Sequence, residues 1–257
     1  GNLAAAARGP VLALVISDVV GDDLSVVGSG PTVADPTTFA DALAVLDRFG
    51  GRSAYPDAVV RFLVEGDAGH LPETPKPGDP RLASAVTRLV GSSRDAVLAA
   101  AGAAAAAGYR ACVLTDPVVG EARMTGPVHA ATMLRAAAAS GLPAAVVSAG
   151  ETTVRVRGAG RGGRNQELAL ASAAVLAGAD IQACFASVGT DGIDGPTGAA
   201  GAIADTTTWV RLQRHGLSAD EVLDNNDSHS AFAALGDLII TGPTETNVGD
   251  LQVLLAG

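Results

Sequence analysis

Thr152-Thr-Val-Arg-Val-Arg157, Gly158-Ala-Gly-Arg-Gly-Gly-Arg164-Asn-Gln-Glu167 and Leu168-Ala-Leu-Ala-Ser-Ala-Ala-Val-Leu176 follow one another without a break, and together they decide the fold. The first segment alternates with period two, which predicts a half-exposed strand antiparallel to its neighbour. The third is apolar and Ala-rich, and Gly178 closes it, which predicts a helix. Between them stand glycines, two arginines, two amides and a carboxylate. Strand, glycine loop and helix N-terminus form a geometry that suits an anion. The loop N–H groups and the helix dipole can point at a phosphate, and a guanidinium can grip its oxygens through two bonds.

Outward from this stretch the chain reads as alternating buried strands and helices. Val11–Ser17 is a continuous apolar run, the pattern of a strand buried on both faces in a parallel sheet. A helix is expected from Phe39 to Gly50, another from Pro56 to Val64, and a proline-rich irregular stretch from Gly66 to Pro80. Arg88–Gly91 reads as a strand. Ser92-Ser-Arg-Asp95 is a capping signature for the Ala-rich helix that Gly108 ends. Strand 110–115, helix 122–139 and strand 144–148 continue the rhythm of βαβ units. Beyond the central loop come strand 181–188, helices near 206–215, 219–223 and 228–235, and closing strands at 237–241 and 251–255. The fold class is therefore α/β, a Rossmann-like, mostly parallel portion over 1–141 followed by a smaller α/β portion with a mixed sheet over 142–257.

Composition limits the function. Of 257 residues, 48% are hydrophobic but only 3% aromatic, so Ala, Val and Leu must build the core. The net charge of −10 argues against a nucleic-acid surface, while leaving room for a local basic pocket at the central loop. No apolar run approaches the ~20 residues of a membrane-spanning helix. Cys112 and Cys184 lie in apolar strand-like runs without metal-ligand spacing, so they are expected to be buried free thiols in a reducing cytoplasm.

The polar loops after the predicted strands carry the candidate chemistry. Asp18, Asp22 and Asp23 follow the first strand, where ligands of open α/β sheets bind, although a run of Asx turns would use the same residues. Asp191 and Asp194, spaced by Gly192 and Ile193 at the end of another strand, can hold Mg²⁺ or take a proton from a hydroxyl. Asn225, Asn226, Asp227, Thr241, Thr244, Thr246 and Asn247 offer amides, hydroxyls and a carboxylate to a polar ligand. Gly158, Gly160 and Gly163 do match G-x-G-x-x-G, with Asp180 about 20 residues after the start of the match. The preceding segment is Thr/Arg-alternating rather than apolar, however, and two arginines crowd the loop. A P-loop is excluded, because no G-x-x-x-x-G-K-[ST] run occurs, and protein-kinase marks are absent. Phosphoryl transfer without a Walker motif is the chemistry that remains.

In order along the chain, these motifs resemble the glycerate 2-kinase family, whose C-terminal module is called MOFRL. The matching stretches are Ser17–Asp23, Gly28–Thr32, Pro72–Pro80, Gly150–Thr153, Gly162–Glu167, Gly189–Gly195, Asn226–Ser228 and Thr241–Thr244. The resemblance implies transfer of the ATP γ-phosphate to the 2-hydroxyl of D-glycerate, with Mg²⁺, in a cytoplasmic enzyme without nucleic-acid or membrane partners; it leaves room for a homo-oligomer. By that likeness Arg164 is the active-site arginine. Asp191 is the metal ligand or base, with Asp194 second. Asp18, Asp22, Asp23, Glu151, Asn165, Glu167, Thr190, Asn226, Asp227 and Thr244 bind or orient substrate and nucleotide. A nicotinamide-dependent hydroxypyruvate reductase and a non-catalytic ligand-binding fragment are the alternatives.

Three departures from the family pattern stand out. Glu245 occupies a position where glycine is usual, and strain is expected if the turn needs φ > 0 there. Gly249 replaces a usual asparagine, and Ala149 a second glycine. In addition, the chain opens at Gly1-Asn2 without the glycine/serine-rich segment and lysines of the family's N-terminus. It therefore reads as a fragment of something longer, expected to be inactive or nearly so by itself.

Overall fold

The computed structural model describes residues 1–257 and resolves them into two compact units, 1–15 with 22–90 and 16–21 with 91–257. The first unit contains helix α1 (Asn2–Ala5), most of strand β1 (Val11–Ile16), helices α2 (Phe39–Arg48) and α3 (Asp57–Asp67), and most of strand β2 (Ala85–Gly91). Strands β1 and β2 form a two-stranded sheet. Its flanking bonds run from Val11 N–H to the Ser84 carbonyl and from Ser17 N–H to the Gly91 carbonyl, so both strands advance in the same direction. Helix α2 starts where Thr38 and Asp41 form a reciprocal capping box. It packs on α3 through Phe39 and Phe62, edge to face at 5.7 Å. A side chain at Gly66 would collide with the Phe39 ring at 2.4 Å, which explains a glycine inside α3. Asp35 accepts from Thr37 and Thr74, and its own N–H donates to the Pro75 carbonyl. The proline-rich stretch is thus pinned without regular structure.

The second unit holds helix α4 (Ser93–Ala106), strands β3 (Arg110–Val113) and β4 (Val118–Glu121), helix α5 (Ala122–Ser140), strand β5 (Ala144–Thr153) and helix α6 (Arg164–Ala177). Strands β6 (Ala183–Gly189) and β7 (Gly201–Asp205), helices α7 (Thr208–Arg214), α8 (Ala219–Asp224) and α9 (Ser228–Leu235), and strands β8 (Leu238–Ile239) and β9 (Asp250–Ala256) complete it. One mixed seven-stranded sheet runs β3-β5-β9-β6-β7-β8, with β4 also on β5. Pairing is parallel for β3 and β4 on β5, and antiparallel for β9 with β5 and β6, β6 with β7, and β7 with β8. The α/β class with a parallel pair and a mixed sheet is as expected. The sheet passes without interruption across position 141, since β3 and β4 precede it and β5 follows it.

Helix α6 is the centre of this unit. Every residue from Asn165 to Ala173 is buried, so a helix without a polar face is what burial on all sides requires. Against it pack α5, the sheet, α8 and α9, and the core gathers Leu168, Leu170, Leu176, Phe185, Leu212, Phe232 and Leu254. Small residues permit the approach of α5. A Cβ on Gly126 would lie 2.7 Å from the Leu168 carbonyl, and Ser172 Oγ donates to that carbonyl and to the Gly126 carbonyl.

Four sequence expectations change. Strand β1, expected to be buried on both faces, alternates instead, with Leu12, Leu14 and Ile16 exposed in its two-stranded sheet. Strand β5 extends to Thr153, where it pairs in parallel with β4, while residues 154–157 are irregular, so the predicted antiparallel strand over 152–157 is absent. The Thr/Arg alternation belongs to a strand end and the loop after it. Strands β4 and β7 were not foreseen, because Val118-Val-Gly-Glu121 and Gly201-Ala-Ile-Ala-Asp205 are short and glycine-containing. The cysteines are free, as expected, but only half-buried; burial raises the Cys184 thiol pKa. No helix is long and apolar enough to cross a membrane.

The half-buried His129 gives this unit an acid sensitivity. It shares a 2.8 Å hydrogen bond with Ser148 Oγ and lies edge-on to Phe185. Burial lowers its pKa from 6.5 to about 4. The unfolded chain takes up this proton as pH falls through 6.5 while the folded chain resists it down to about 4, so stability is lost across that window. The loss is expected to reach on the order of 2–3 kcal/mol by pH 4. His129→Gln should flatten the decline in urea denaturation between pH 7.5 and pH 4.5; an unchanged slope would assign it to other groups.

Candidate functional site

The sheet topology brings three chain segments to one edge. Antiparallel β9 lies between β5 and β6, and its first residue, Asp250, is in register with both Gly150 and Gly189. Glu151, Thr190, Asp191 and Asp250 therefore converge at the carboxyl ends of β5 and β6, where helix α6 begins.

Arg164 is the first residue of α6, and its guanidinium is clamped. Nε donates to Asp250 Oδ2 at 2.6 Å, Nη2 to Asp250 Oδ1 at 3.0 Å, and Nη1 faces Glu151 Oε1 at 3.0 Å. Asp250 is 1% exposed, whereas the Arg164 side chain keeps 34% of its surface open. The two-point bond to Asp250 fixes the plane of the guanidinium and pushes its pKa up, so the positive charge persists at every working pH. The arginine was legible in the sequence. Asp250, a single acid before an apolar strand, was not, because its role depends on the register of β9.

The glycine loop differs from the expected phosphate cradle. Asn226 Oδ1 accepts from the N–H groups of Arg157 and Gly158, Asn225 Oδ1 from Ala159, the Asn225 carbonyl from Gly160, and Asp227 Oδ1 from Arg161. Five successive N–H groups are thus bonded within the protein. The glycines are required by close approach: an added Cβ would sit 2.4 Å from Asn225 at Gly158, 2.4 Å from Asp227 at Gly160, and 2.2 Å from Ser228 Oγ at Gly162. The next three N–H groups, of Gly162, Gly163 and Arg164, make no hydrogen bond within the protein.

Asp194 takes the place of the missing N-cap. Gly163, the N-cap residue, has no side chain, and the buried Asp194 carboxylate accepts instead from Asn165 N at 3.0 Å and Gln166 N at 2.9 Å. The Gln166 amide adds a third bond at 2.8 Å. Burial raises the Asp194 pKa, against the lowering effect of these donors. With both oxygens bonded to the helix start, Asp194 serves architecture rather than the metal role expected for it. Asp191 is different. Its Oδ1 accepts from Ile193 N–H, and Oδ2 has no protein donor.

Several predicted ligand residues lie behind the cleft. Asn165 is buried and accepts from Ser187. Glu167 is buried, accepts from Asn226 Nδ2, and has its pKa raised by burial. Asn226 and Asp227 hold the glycine loop as described. Thr190 Oγ1 donates to the Gly249 carbonyl and accepts from Val248 N–H, and Thr244 Oγ1 donates to the Thr190 carbonyl. These two hydroxyls tie turn 241–249 to the end of β6. Asp18 accepts from Asn247 Nδ2 at 2.9 Å. Asp22 and Asp23 line none of the cavities below; Asp23 closes a local turn on Ser25.

Two cavities share Asp191. One, of about 700 Å³, is lined by Glu151, Gly162, Gly163, Arg164, Asp191 and Asp194 among others. The other, of about 510 Å³, has Asp18, Asp191, Glu245 and Asn247 on its walls. Within turn 241–249, Glu245 adopts φ = +60°, so the strain foreseen from the sequence is present. Glu245→Gly is expected to stabilise the protein by about 1 kcal/mol, read as a higher urea midpoint at unchanged slope. No gain would mean that the glutamate makes compensating contacts. Gly249 has φ = +84°, a conformation that asparagine also tolerates, which accounts for the exchange between the two.

No cluster of three or more His, Cys, Asp or Glu side chains is arranged to hold a metal ion. Mg²⁺ commonly takes only one or two carboxylates together with substrate phosphates and water. The free Asp191 oxygen and the neighbouring Asp18 fit such a partial donor set, not an all-protein cage.

Residues 144–250 match the model of the MOFRL family, and residues 1–64 that of a domain of unknown function, DUF4147. A D-glycerate 2-kinase of Thermotoga maritima is 41% identical over 95% of this chain and 56% of its own length. A putative hydroxypyruvate reductase of Agrobacterium vitis is 43% identical over 100% of this chain and 58% of its own length. The crystal structure of a Thermotoga maritima glycerate kinase superimposes with a TM-score of 0.82 at 39% identity, covering 97% of this chain and 58% of that one. The chain thus spans little more than half the length of these relatives. Matched from end to end in both sequence and fold, it belongs to the MOFRL-type glycerate kinase family.

Proposed function

We propose that the protein is an ATP-dependent D-glycerate 2-kinase, with its transferring phosphate received beside Arg164. The observation that carries this reading is the cleft itself. A guanidinium fixed by Asp250, three unbonded N–H groups from Gly162 to Arg164, and the free oxygen of Asp191 belong to residues lining one cavity. Positive charge and N–H donors at a helix start favour a dianionic phosphate. A carboxylate opposite them suits removal of a hydroxyl proton.

In the transfer, the bond from the γ-phosphorus to the β,γ-bridging oxygen breaks as the 2-hydroxyl oxygen of glycerate bonds to phosphorus. The hydroxyl proton passes to Asp191 Oδ2. Arg164 and the three N–H groups hold the equatorial phosphate oxygens in position, which is most of what such a transfer asks of a protein. Asp18 would hold Mg²⁺ together with phosphate oxygens and water, leaving Asp191 Oδ2 for the proton, and the ion would supply charge neutralisation. Glu151, already on Nη1 of Arg164, exchanges places with the incoming anion. We assign this module to residues 142–257, with Asp18 contributed from the first strand's end.

The name carried by the Agrobacterium relative raises the reductase alternative, and the glycine loop weighs against it. Gly158 and Gly160 pack on Asn225 and Asp227 with their N–H groups bonded, so no pyrophosphate cradle forms there. Thermal denaturation separates the two readings, since a ligand that binds only the folded state raises Tm. We expect MgATP to protect the intact protein and NADH not to; protection by NADH alone would reverse the assignment.

A further inference from the structure

A third cavity, of about 650 Å³, opens where β5 changes its parallel partner. Strand β3 pairs with β5 as far as Val147, and β4 takes over from Gly150, so the chain between β3 and β4 loops away from the sheet. Val97, Leu98, Val113 and Leu114 supply apolar walls, and Arg94 stands at the rim. This is the crevice beyond the carboxyl end of a parallel strand, beside the first turn of the 14-residue helix α4. Arg94 is exposed and takes part in no ion pair, and as the first residues of α4, Ser93 and Arg94 have N–H groups without intrahelical acceptors. The cavity adjoins the Arg164 cleft: both include Val20, and Ala149 and Gly150 here lead directly into Glu151 and Thr152 there.

An apolar slot with an unpaired cation at its rim, continuous with a phosphate-binding cleft, matches one class of ligand, a flat heterocycle attached to an anionic chain. We infer that this cavity receives the base of the nucleoside triphosphate, between Val97 and Leu98 of α4 and Val113 and Leu114 at the end of β3, with Arg94 beside the ribose-phosphate. The polyphosphate then extends past Gly150 towards Arg164. This rests on the kinase reading above and adds to it the location of the nucleoside.

Leu98 is 54% exposed and Arg94 is on the surface, so both can be changed without opening the core. Leu98→Glu and Arg94→Glu are each expected to raise the Kd for ADP, and the KM for ATP, at least tenfold. Leu98→Ile should retain near-normal binding, the KM for glycerate should change less than about twofold, and adenosine should compete with ADP. Full ADP affinity in both glutamate variants, together with its loss in Arg164→Ala, would place the base elsewhere and leave the kinase reading intact. Adenosine binding that Leu98→Glu abolishes, in a protein that forms no phosphorylated product, would keep the base site and remove the kinase.

Discussion

Arg164→Ala is expected to lower kcat/KM for glycerate by about 10²- to 10³-fold, or about 3–4 kcal/mol of transition-state stabilisation. The size follows from geometry. Asp250 already fixes the guanidinium, so its contact with the transferring phosphate needs little reorganisation. Arg164→Lys tests the same point with the charge kept. A lysine ammonium cannot bond Asp250 through two parallel N–H groups and present a third at the same time. We therefore expect most of the loss to persist in the lysine variant, and to appear in kcat more than in KM. Since removing Arg164 also leaves the buried Asp250 unpaired, folding of both variants is to be checked by circular dichroism. A folded variant within tenfold of the wild type would place the phosphate away from Arg164.

The largest effect on stability is expected at Asp194. Its carboxylate accepts two backbone N–H groups of α6 and the Gln166 amide, all buried. Asp194→Ala removes the cap of the helix at the centre of the core and leaves those donors without partners. A lost cap costs about 1–2 kcal/mol and each buried unsatisfied group about 1–3 kcal/mol. The two costs overlap, because the cap bonds are two of those donors, so the total is expected to be on the order of 3–5 kcal/mol, seen as a lower urea midpoint. Asp194→Asn should lose less, since it retains an acceptor for the helix N–H groups. A loss below about 1 kcal/mol in the alanine variant would show that the helix start finds other acceptors.

Periodicity read the helices and most buried strands correctly, because burial writes itself locally into the chain. Helix α6 was legible from Leu168 to Gly178, and the cap of α4 from Ser92. The strand expected over 152–157 failed because Thr/Arg alternation registers exposure without saying which partner, if any, lies alongside. Within the site, Asp191 and Asp194 were visible as polar residues after an apolar run, and Arg164 as a guanidinium in the glycine loop before one. Their division of labour was not. Whether an aspartate caps a helix or faces a cavity depends on where residues some 30 positions away are placed. Asp250 was missed for the same reason, since it acts on a partner more than 60 positions distant. The glycine loop is the sharpest case. Its composition suggested room for phosphate, whereas the glycines make room for residues 225–228.

The most direct measurement is phosphorus NMR of the intact protein with D-glycerate and MgATP. We expect the γ-phosphate resonance to decline as a 2-phosphoglycerate resonance and ADP appear, with Arg164→Ala slowing both together. ATP left unchanged, while the same preparation oxidises NADH with hydroxypyruvate, would contradict the kinase assignment.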